Sequence, residues 1–277
     1  MPDQLPVAIL AFNAVADVRA NHDRIHAAID AAVAGGARLL ATPECALTGY
    51  PSAARADWSG MPWNVVADAE ESLSEYARSR DLALVLGSAG PVADGEGISN
   101  DALACGRWVR PALRHGSGLV RYRKRNLTPM DKNHFIAGDT PGVFALDDWI
   151  IGLAICFDVR FPGHWAELAQ VNCDAVVCVS HMAGSDPDPG SKAQVVPALF
   201  ATRAAEWATP VLFANTSAPD RYLDSALWDA RGVRIAGVSE GLAFATLRRR
   251  STFDPWYAEL RKQSLASWHA NPESADG

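Results

Sequence analysis

An α/β fold is the class this sequence predicts, on three observations. Short apolar runs of strand length alternate with segments whose apolar residues recur at helical spacing. Hydrophobic residues make up 49% of the 277 positions, enough for a sizeable buried core. Several apolar runs end abruptly in polar, chemically capable residues, where strands of open α/β sheets deliver functional groups.

The elements follow in order. Residues 7–12, between Pro6 and Asn13, read as a buried strand. Ile25, Ala28, Ile29, Ala32 and Val33 then mark a helix that Gly35-Gly36 stops. Residues 39–41, ended by Pro43, complete a strand–helix–strand unit. Residues 65–77 read as a helix and 82–86 as a strand, with several short strands between Ser99 and Lys124. Residues 149–156 form another apolar strand. Phe161-Pro162 opens a helix through Leu168, with the proline in its first turn. Strands are expected at 175–179 and 211–214, around a helix at 193–207. Two or three strands follow between Ser225 and Leu247, and 255–268 closes the chain as a helix. Residues 185–190 hold two Pro and two Asp and predict an irregular loop rimming a pocket. With no repeat or linker, one domain over 1–277 is expected, its tail at about 271–277 extended or disordered.

Charge and cysteine content narrow the function classes. The formal charge is −7, which disfavours nucleic acid or an anionic membrane as a partner. The run Arg248-Arg249-Arg250 reads as a solvated loop. The first residues lack the basic and apolar regions of a secretory signal, and no apolar stretch reaches the ~18 residues of a membrane span, so a cytoplasmic location is expected. The five cysteines (45, 105, 156, 173 and 178) are irregularly spaced and contain no C-x-x-C pair, so reduced thiols are the default.

Three strand ends carry the chemistry. Thr42-Pro43-Glu44-Cys45 follows one, Arg121-Tyr122-Arg123-Lys124 another, and Cys156-Phe157-Asp158-Val159-Arg160 a third. A thiol with an ordinary pKa of about 8.5 needs a base or a cation to become a nucleophile. A carboxylate can take its proton, and an ammonium can stabilise an oxyanion. Strand alternation puts Tyr122 and Lys124 on one face and Arg121, Arg123 and Arg125 on the other. Composition alone does not select the three residues.

The motifs do. Pro43-Glu44 with Leu47-Thr48-Gly49-Tyr50, then Tyr122-Arg123-Lys124 with Leu127, then Cys156-Phe157-Asp158-Val159-Arg160-Phe161-Pro162 resemble, in this order, three segments of the nitrilase, or carbon–nitrogen hydrolase, superfamily. The resemblance covers nearly the whole chain. It implies a four-layer α-β-β-α sandwich, usually paired into dimers, or a higher homo-oligomer, with no metal or organic cofactor. It implies Glu44 as general base, Cys156 as nucleophile, and Lys124 with the Phe157 backbone N–H as oxyanion donors. Asp131, ahead of Phe135 and Gly138, stands where the family commonly has a second Glu, and Asn126 where it often has His. Phe157-Asp158 after the cysteine resembles the amidase and carbamoyl-hydrolase branches, including omega-amidase-like enzymes; true nitrilases tend to place Trp-Glu there. A small-molecule amide or N-carbamoyl compound is the implied substrate. His181 and Arg160 are candidate substrate contacts, and Arg203 is a second available cation. A catalytically weak member with a binding or regulatory role, motivated by the shorter Asp131, and an acyl transferase using the same thioester are the alternatives. A thiol redox role lacks a resolving partner.

Other candidates have plainer readings. Cys45 neighbours Glu44, but adjacent residues of an extended chain point apart, so packing is expected for it, as for Cys173 and Cys178. His22 and His26 have the spacing of a helical metal pair but no third ligand, and a wet helix face is expected.

Overall fold

The computed structural model describes residues 3–51, 57–93, 96–112, 118–184 and 189–270. The chain begins with β1 (Gln4–Ala11), α1 (Val18–Ala34), β2 (Leu39–Ala41), α2 (Trp63–Ser79), β3 (Ala83–Pro91), β4 (Ile98–Gly106), β5 (Val109–Pro111) and β6 (Val120–Arg123). It continues with β7 (Gly142–Leu146), β8 (Trp149–Ile155), α3 (Pro162–Gln170), β9 (Ala175–Ser180), α4 (Pro189–Glu206) and β10 (Val211–Asn215). It closes with β11 (Ser225–Trp228), β12 (Arg234–Val238), β13 (Gly241–Arg248) and α5 (Pro255–Ala270).

The strands form two sheets. One has the order β13-β1-β2-β3-β4-β6, the other β12-β11-β10-β9-β8-β7-β5. Parallel pairs β1–β2–β3 and β8–β9–β10 lie at the centre of each, and antiparallel strands flank them. Alternation along the strands sorts the apolar side chains into three layers. Val7, Ile9, Leu39, Ala41 and Val85 of the first sheet meet Ile151, Leu153, Val177, Val179 and Leu212 of the second between the sheets. Ala8, Leu10, Leu40 and Leu84 point the other way, against Ile25 and Ile29 of α1 and Leu73 of α2. Ala154, Val176, Cys178 and Phe213 turn toward Trp165 and Leu168 of α3 and Phe200 of α4. The result is an α-β-β-α sandwich, as expected. Each fully buried Ile, Leu or Val in these layers contributes about 1.5–3 kcal/mol.

Local signals set the element ends. Asp17 caps α1 by accepting from the N–H groups of Arg19 and Ala20 at 2.9 and 3.2 Å. Gly36 follows that helix with φ +78°, a conformation cheap only for glycine. Pro162 occupies the first turn of α3.

Several expectations need correction. The buried strand predicted through Cys156 ends at Ile155, because Cys156 turns into a 3-10 segment, Cys156–Arg160. Strand β7 had no clear signal: its five residues are all buried and too few to show a period. Pro189 and Gly190, expected in an irregular loop, begin α4, where a first-turn proline lacks only an N–H that has no helical partner. Residues 185–188 of that loop, and the tail from Asn271, lie outside the described residues. The arginine run is not merely a solvated loop. Arg249 donates to the Asp148 carbonyl at 2.9 Å and sits 4.8 Å over the Trp149 ring, and Arg250 donates to the Cys173 carbonyl at 3.0 Å. These bonds tie the end of β13 to the second sheet. His26 does not face water alone: it stacks on Tyr76 of α2 with ring centroids 3.7 Å apart, and His22 bonds Ser72 at 3.3 Å. The pair therefore joins two helices. Among the described residues no helix is long and apolar enough to cross a membrane.

Candidate active site

Three chain segments converge where the carboxyl ends of the central strands of both sheets meet. The first leaves β2. Thr42 accepts the Gly87 N–H at 3.0 Å, and the Leu47 N–H reaches the Gly87 carbonyl at 3.0 Å, which folds residues 42–47 against β3. Gly87 is required there, since a Cβ would stand 1.9 Å from the Pro43 carbonyl oxygen. The Glu44 N–H crosses to the second sheet and donates to the Ser180 carbonyl at 3.2 Å. The Glu44 carboxylate is fully buried and fixed from three sides. Oε1 accepts from Lys124 Nζ at 2.7 Å and Asn100 Nδ2 at 2.6 Å, and Oε2 accepts the His181 backbone N–H at 2.8 Å.

The second segment is the end of β6. Its alternation is as expected: Tyr122 and Lys124 are buried, while Arg121 is exposed and Arg123 and Arg125 are half-buried. The Lys124 N–H donates to the Asn100 carbonyl at 2.8 Å, which extends the register of β4 to the lysine. Its ammonium bridges Glu44 and Asp131, with 2.8 Å to Asp131 Oδ2. Asp131 is also fully occupied. Oδ2 accepts the Thr128 N–H at 2.9 Å, and Oδ1 accepts the Tyr50 hydroxyl. Tyr50 stacks on His181, centroids 4.5 Å apart and planes within 8°. The ring of contacts therefore closes from Glu44 through Lys124, Asp131, Tyr50 and His181 back to Glu44.

The third segment carries Cys156, which is half-buried and has φ +47°. A non-glycine residue in that left-handed region costs on the order of 1–3 kcal/mol and persists only when its surroundings hold it. Asp158 does most of the holding. Its buried carboxylate accepts from the Ile155 N–H at 2.9 Å, the Tyr122 hydroxyl at 2.7 Å, the Asn126 N–H at 3.1 Å and Asn126 Nδ2 at 2.8 Å. Asn126, which stands in the place of a common His, thus serves as a double donor to this carboxylate. Trp165 donates to the Asp158 carbonyl and Arg203 to the Val159 carbonyl, at 3.0 and 3.1 Å.

Burial and charge set the proton positions. Burial, reinforced by the Glu44 carboxylate, pushes the Cys156 thiol up to about 12. Burial also raises Glu44, against the opposing pull of Lys124. For Lys124 burial works downward, but Glu44, Cys156 and Asp131 outweigh it and hold the ammonium well above its ordinary value. For Asp131 burial works upward, and the Lys124 charge outweighs it to hold the carboxyl low. Near neutral pH the sulfur is therefore held as a thiol and Lys124 as a cation, with the Glu44 carboxyl acting on both.

Glu44, Lys124 and Asp131 are brought into contact, Cys156 lies within electrostatic influence of all three, and His181 joins them through its backbone and its stacked ring. Phe157 follows Cys156 directly, and Arg160 lies 5.9 Å over its ring. Arg203, expected to be available for a substrate carboxylate, is buried and committed to Val159 and Glu206. Cys45 packs with Ala89 and Phe135 as expected, but from a turn with φ +50° and not from extended chain, and its thiol donates to Asn100 Oδ1 at 3.8 Å. Asn100, Tyr50 and Asp158 gain structural parts that sequence reasoning did not assign. For Asn100 a signal existed: Ser99-Asn100-Asp101 is a polar triplet inside an otherwise apolar strand, and all three are buried.

The model of the carbon–nitrogen hydrolase family matches residues 6–251. The chain belongs to that family. Among relatives, an (R)-stereoselective amidase from Pseudomonas sp. is 29% identical over 147 residues, which cover 53% of this chain and 49% of that protein. The chain thus spans about half the length of that relative. A hydrolase from the pqqF 5′ region of Pseudomonas protegens is 28% identical over 84% of this chain and 79% of its own length. Among solved structures, the amidase from Nesterenkonia sp. AN1, bearing the acetamide moiety of fluoroacetamide on its active-site cysteine, is 25% identical with a TM-score of 0.76. That match covers 97% of this chain and 96% of the Nesterenkonia one.

Proposed function

We propose that this family member is an amidase-like enzyme that hydrolyses the carbon–nitrogen bond of a small amide or N-carbamoyl compound through a thioester on Cys156. The observation that carries the reading is the fixed Glu44 carboxylate, bonded to Lys124 and bearing on a thiol held in a left-handed turn. With the thiol near 12, little thiolate exists before substrate arrives, so proton removal accompanies attack. Glu44 accepts the sulfur's proton as sulfur bonds to the carbonyl carbon. The negative charge that develops on oxygen is stabilised by the Lys124 ammonium and the Phe157 backbone N–H, donors fixed before the reaction. Glu44 then protonates the departing nitrogen, and the carbon–nitrogen bond breaks. Water adds to the thioester with Glu44 as base, which releases the acid and restores the thiol.

Asp131 supports Lys124 in this scheme and, despite its shorter side chain, lies 2.8 Å from the ammonium. Its length therefore gives no ground for a silent, purely binding protein. Phe157, His181 and Arg160 are proposed substrate contacts beside the thiol. A homodimer or higher homo-oligomer and a cytoplasmic location belong to the same reading. The exposed apolar Phe161 and Trp268, on the helical layer of the second sheet, support the first; light scattering of the purified protein tests it.

Intact-protein mass spectrometry after incubation with a mixed set of aliphatic amides and N-carbamoyl amino acids tests the chemistry. An acyl increment on Cys156, absent in Cys156→Ala together with all turnover, is expected. Near-normal turnover in Cys156→Ala would refute the assignment, and release of acyl group only to added amines would make the chain a transferase.

A further inference from the structure

Ser180 ends β9, whose parallel register with β8 runs from Ile151 beside Ala175 to Ile155 beside Val179. Ser180 follows Val179 directly, as Cys156 follows Ile155, so both leave the last paired step of the two strands. Its carbonyl accepts the Glu44 N–H, and the next residue's N–H holds the Glu44 carboxylate. Ser180 is fully buried, yet its hydroxyl has no hydrogen-bond partner among the described residues that meets ordinary geometry. Its hydroxyl acts on the neighbouring Cys156 thiol in the direction that favours the charged sulfur. A buried hydroxyl without a partner destabilises the folded state and calls for an explanation. A neutral thiol is a poor acceptor, whereas a thiolate is a charged one that strengthens the bond.

Resting on the reading of Cys156 as nucleophile, we infer that the Ser180 hydroxyl is a positioning residue that donates a hydrogen bond to the Cys156 sulfur when that sulfur becomes negative. No proton leaves Ser180. The thiol proton goes to Glu44, and the hydroxyl turns its hydrogen toward the sulfur as the charge appears. The same donor holds the sulfur again when the thioester breaks and sulfur leaves as the anion. The energetic consequence falls on the thiolate and not on the folded resting state. A group kept only for packing would behave in the opposite way.

The test reads the thiol directly and needs no knowledge of the substrate. Purified wild type, Ser180→Ala and Ser180→Gly are alkylated with iodoacetamide across pH, and the rate at Cys156 is followed by peptide mass spectrometry. The other four cysteines are buried, so Cys156 dominates the signal. Removing a donor to a charged sulfur is expected to lower the alkylation rate at every pH at which the protein stays folded, by roughly tenfold, through loss of thiolate. On any amide that the wild type turns over, kcat falls in proportion while KM holds. The thermal midpoint of Ser180→Ala stays level or rises, because no resting-state bond is lost. Superimposable alkylation profiles for wild type and whichever deletion variant folds overturn the inference. Alkylation at Cys156 in an enzyme that turns over no amide would sink the proposed function while leaving the Ser180 measurement readable.

Discussion

Replacing Asp131 with Asn tests how far the buried charge network depends on its shorter acid. Lys124 is fully buried and balanced by two carboxylates, Glu44 at 2.7 Å and Asp131 at 2.8 Å. At an effective dielectric of about 20, the Asp131 contact is worth roughly 6 kcal/mol of attraction. The desolvation that Asp131 itself suffers takes back part of this, and removing one partner of a buried pair costs about 3–5 kcal/mol net. For a chain of this size that loss lowers the thermal midpoint by on the order of 10 °C. The introduced side-chain amide would also present donors to Lys124 or Tyr50, both donors themselves. With Lys124 held from one side only, a displacement of about an ångström costs on the order of 100-fold in kcat/KM. Calorimetry and steady-state kinetics on a small amide measure both. Near wild-type melting and turnover in Asp131→Asn would refute the reasoning, because a spectator carboxylate is the only role left. Asp131→Glu is expected to lose stability too, by about 1–3 kcal/mol, since Asp131 is fully buried and a methylene must overpack its site.

Two further outcomes follow from the geometry. Gly87→Ala puts a Cβ 1.9 Å from the Pro43 carbonyl and 2.9 Å from Glu44 Cα, both backbone atoms, so melting temperature and kcat fall together; an active, normally stable variant would show that the Glu44 turn tolerates movement. Burial lowers His181 from 6.5 to about 4, so between those values the unfolded chain binds the extra proton. Stability is full above pH 6.5 and declines as pH falls toward 4. His164, lowered by burial as well, adds to the same slope. His181→Gln is expected to flatten the melting-temperature profile over that window, and a slope unchanged by the substitution would contradict this.

The layers of this fold were readable because apolar periodicity is a local property. Strands at 39–41, 149–155 and 175–180 and helices α1, α3 and α5 follow from runs, spacing and punctuation within a few residues. Strand β7 and the start of α4 did not, since the first is too short to show a period and the second begins with residues that usually break helices. The arginine run was misread for a different reason. Its partners Asp148, Trp149 and Cys173 are about 75–100 residues away in the chain, and no local pattern announces them.

The candidate site divides along the same line. It was the resemblance of three motifs in order to a known family, and not residue types alone, that singled out Glu44, Lys124, Asp131 and Cys156 without coordinates. Strand alternation alone turned Lys124 inward. Which atoms touch was decided only by the packing of two sheets: that Asp131 reaches the ammonium, that Asn100 and the His181 N–H hold Glu44, that Asp158 pins the turn at Cys156, and that Arg203 is already committed elsewhere. Periodicity reports which face a side chain takes, because that depends on its neighbours in the chain. It is silent on which distant groups share that face, because the pairing is set by long-range register and by the energetic cost of leaving buried polar atoms unmatched.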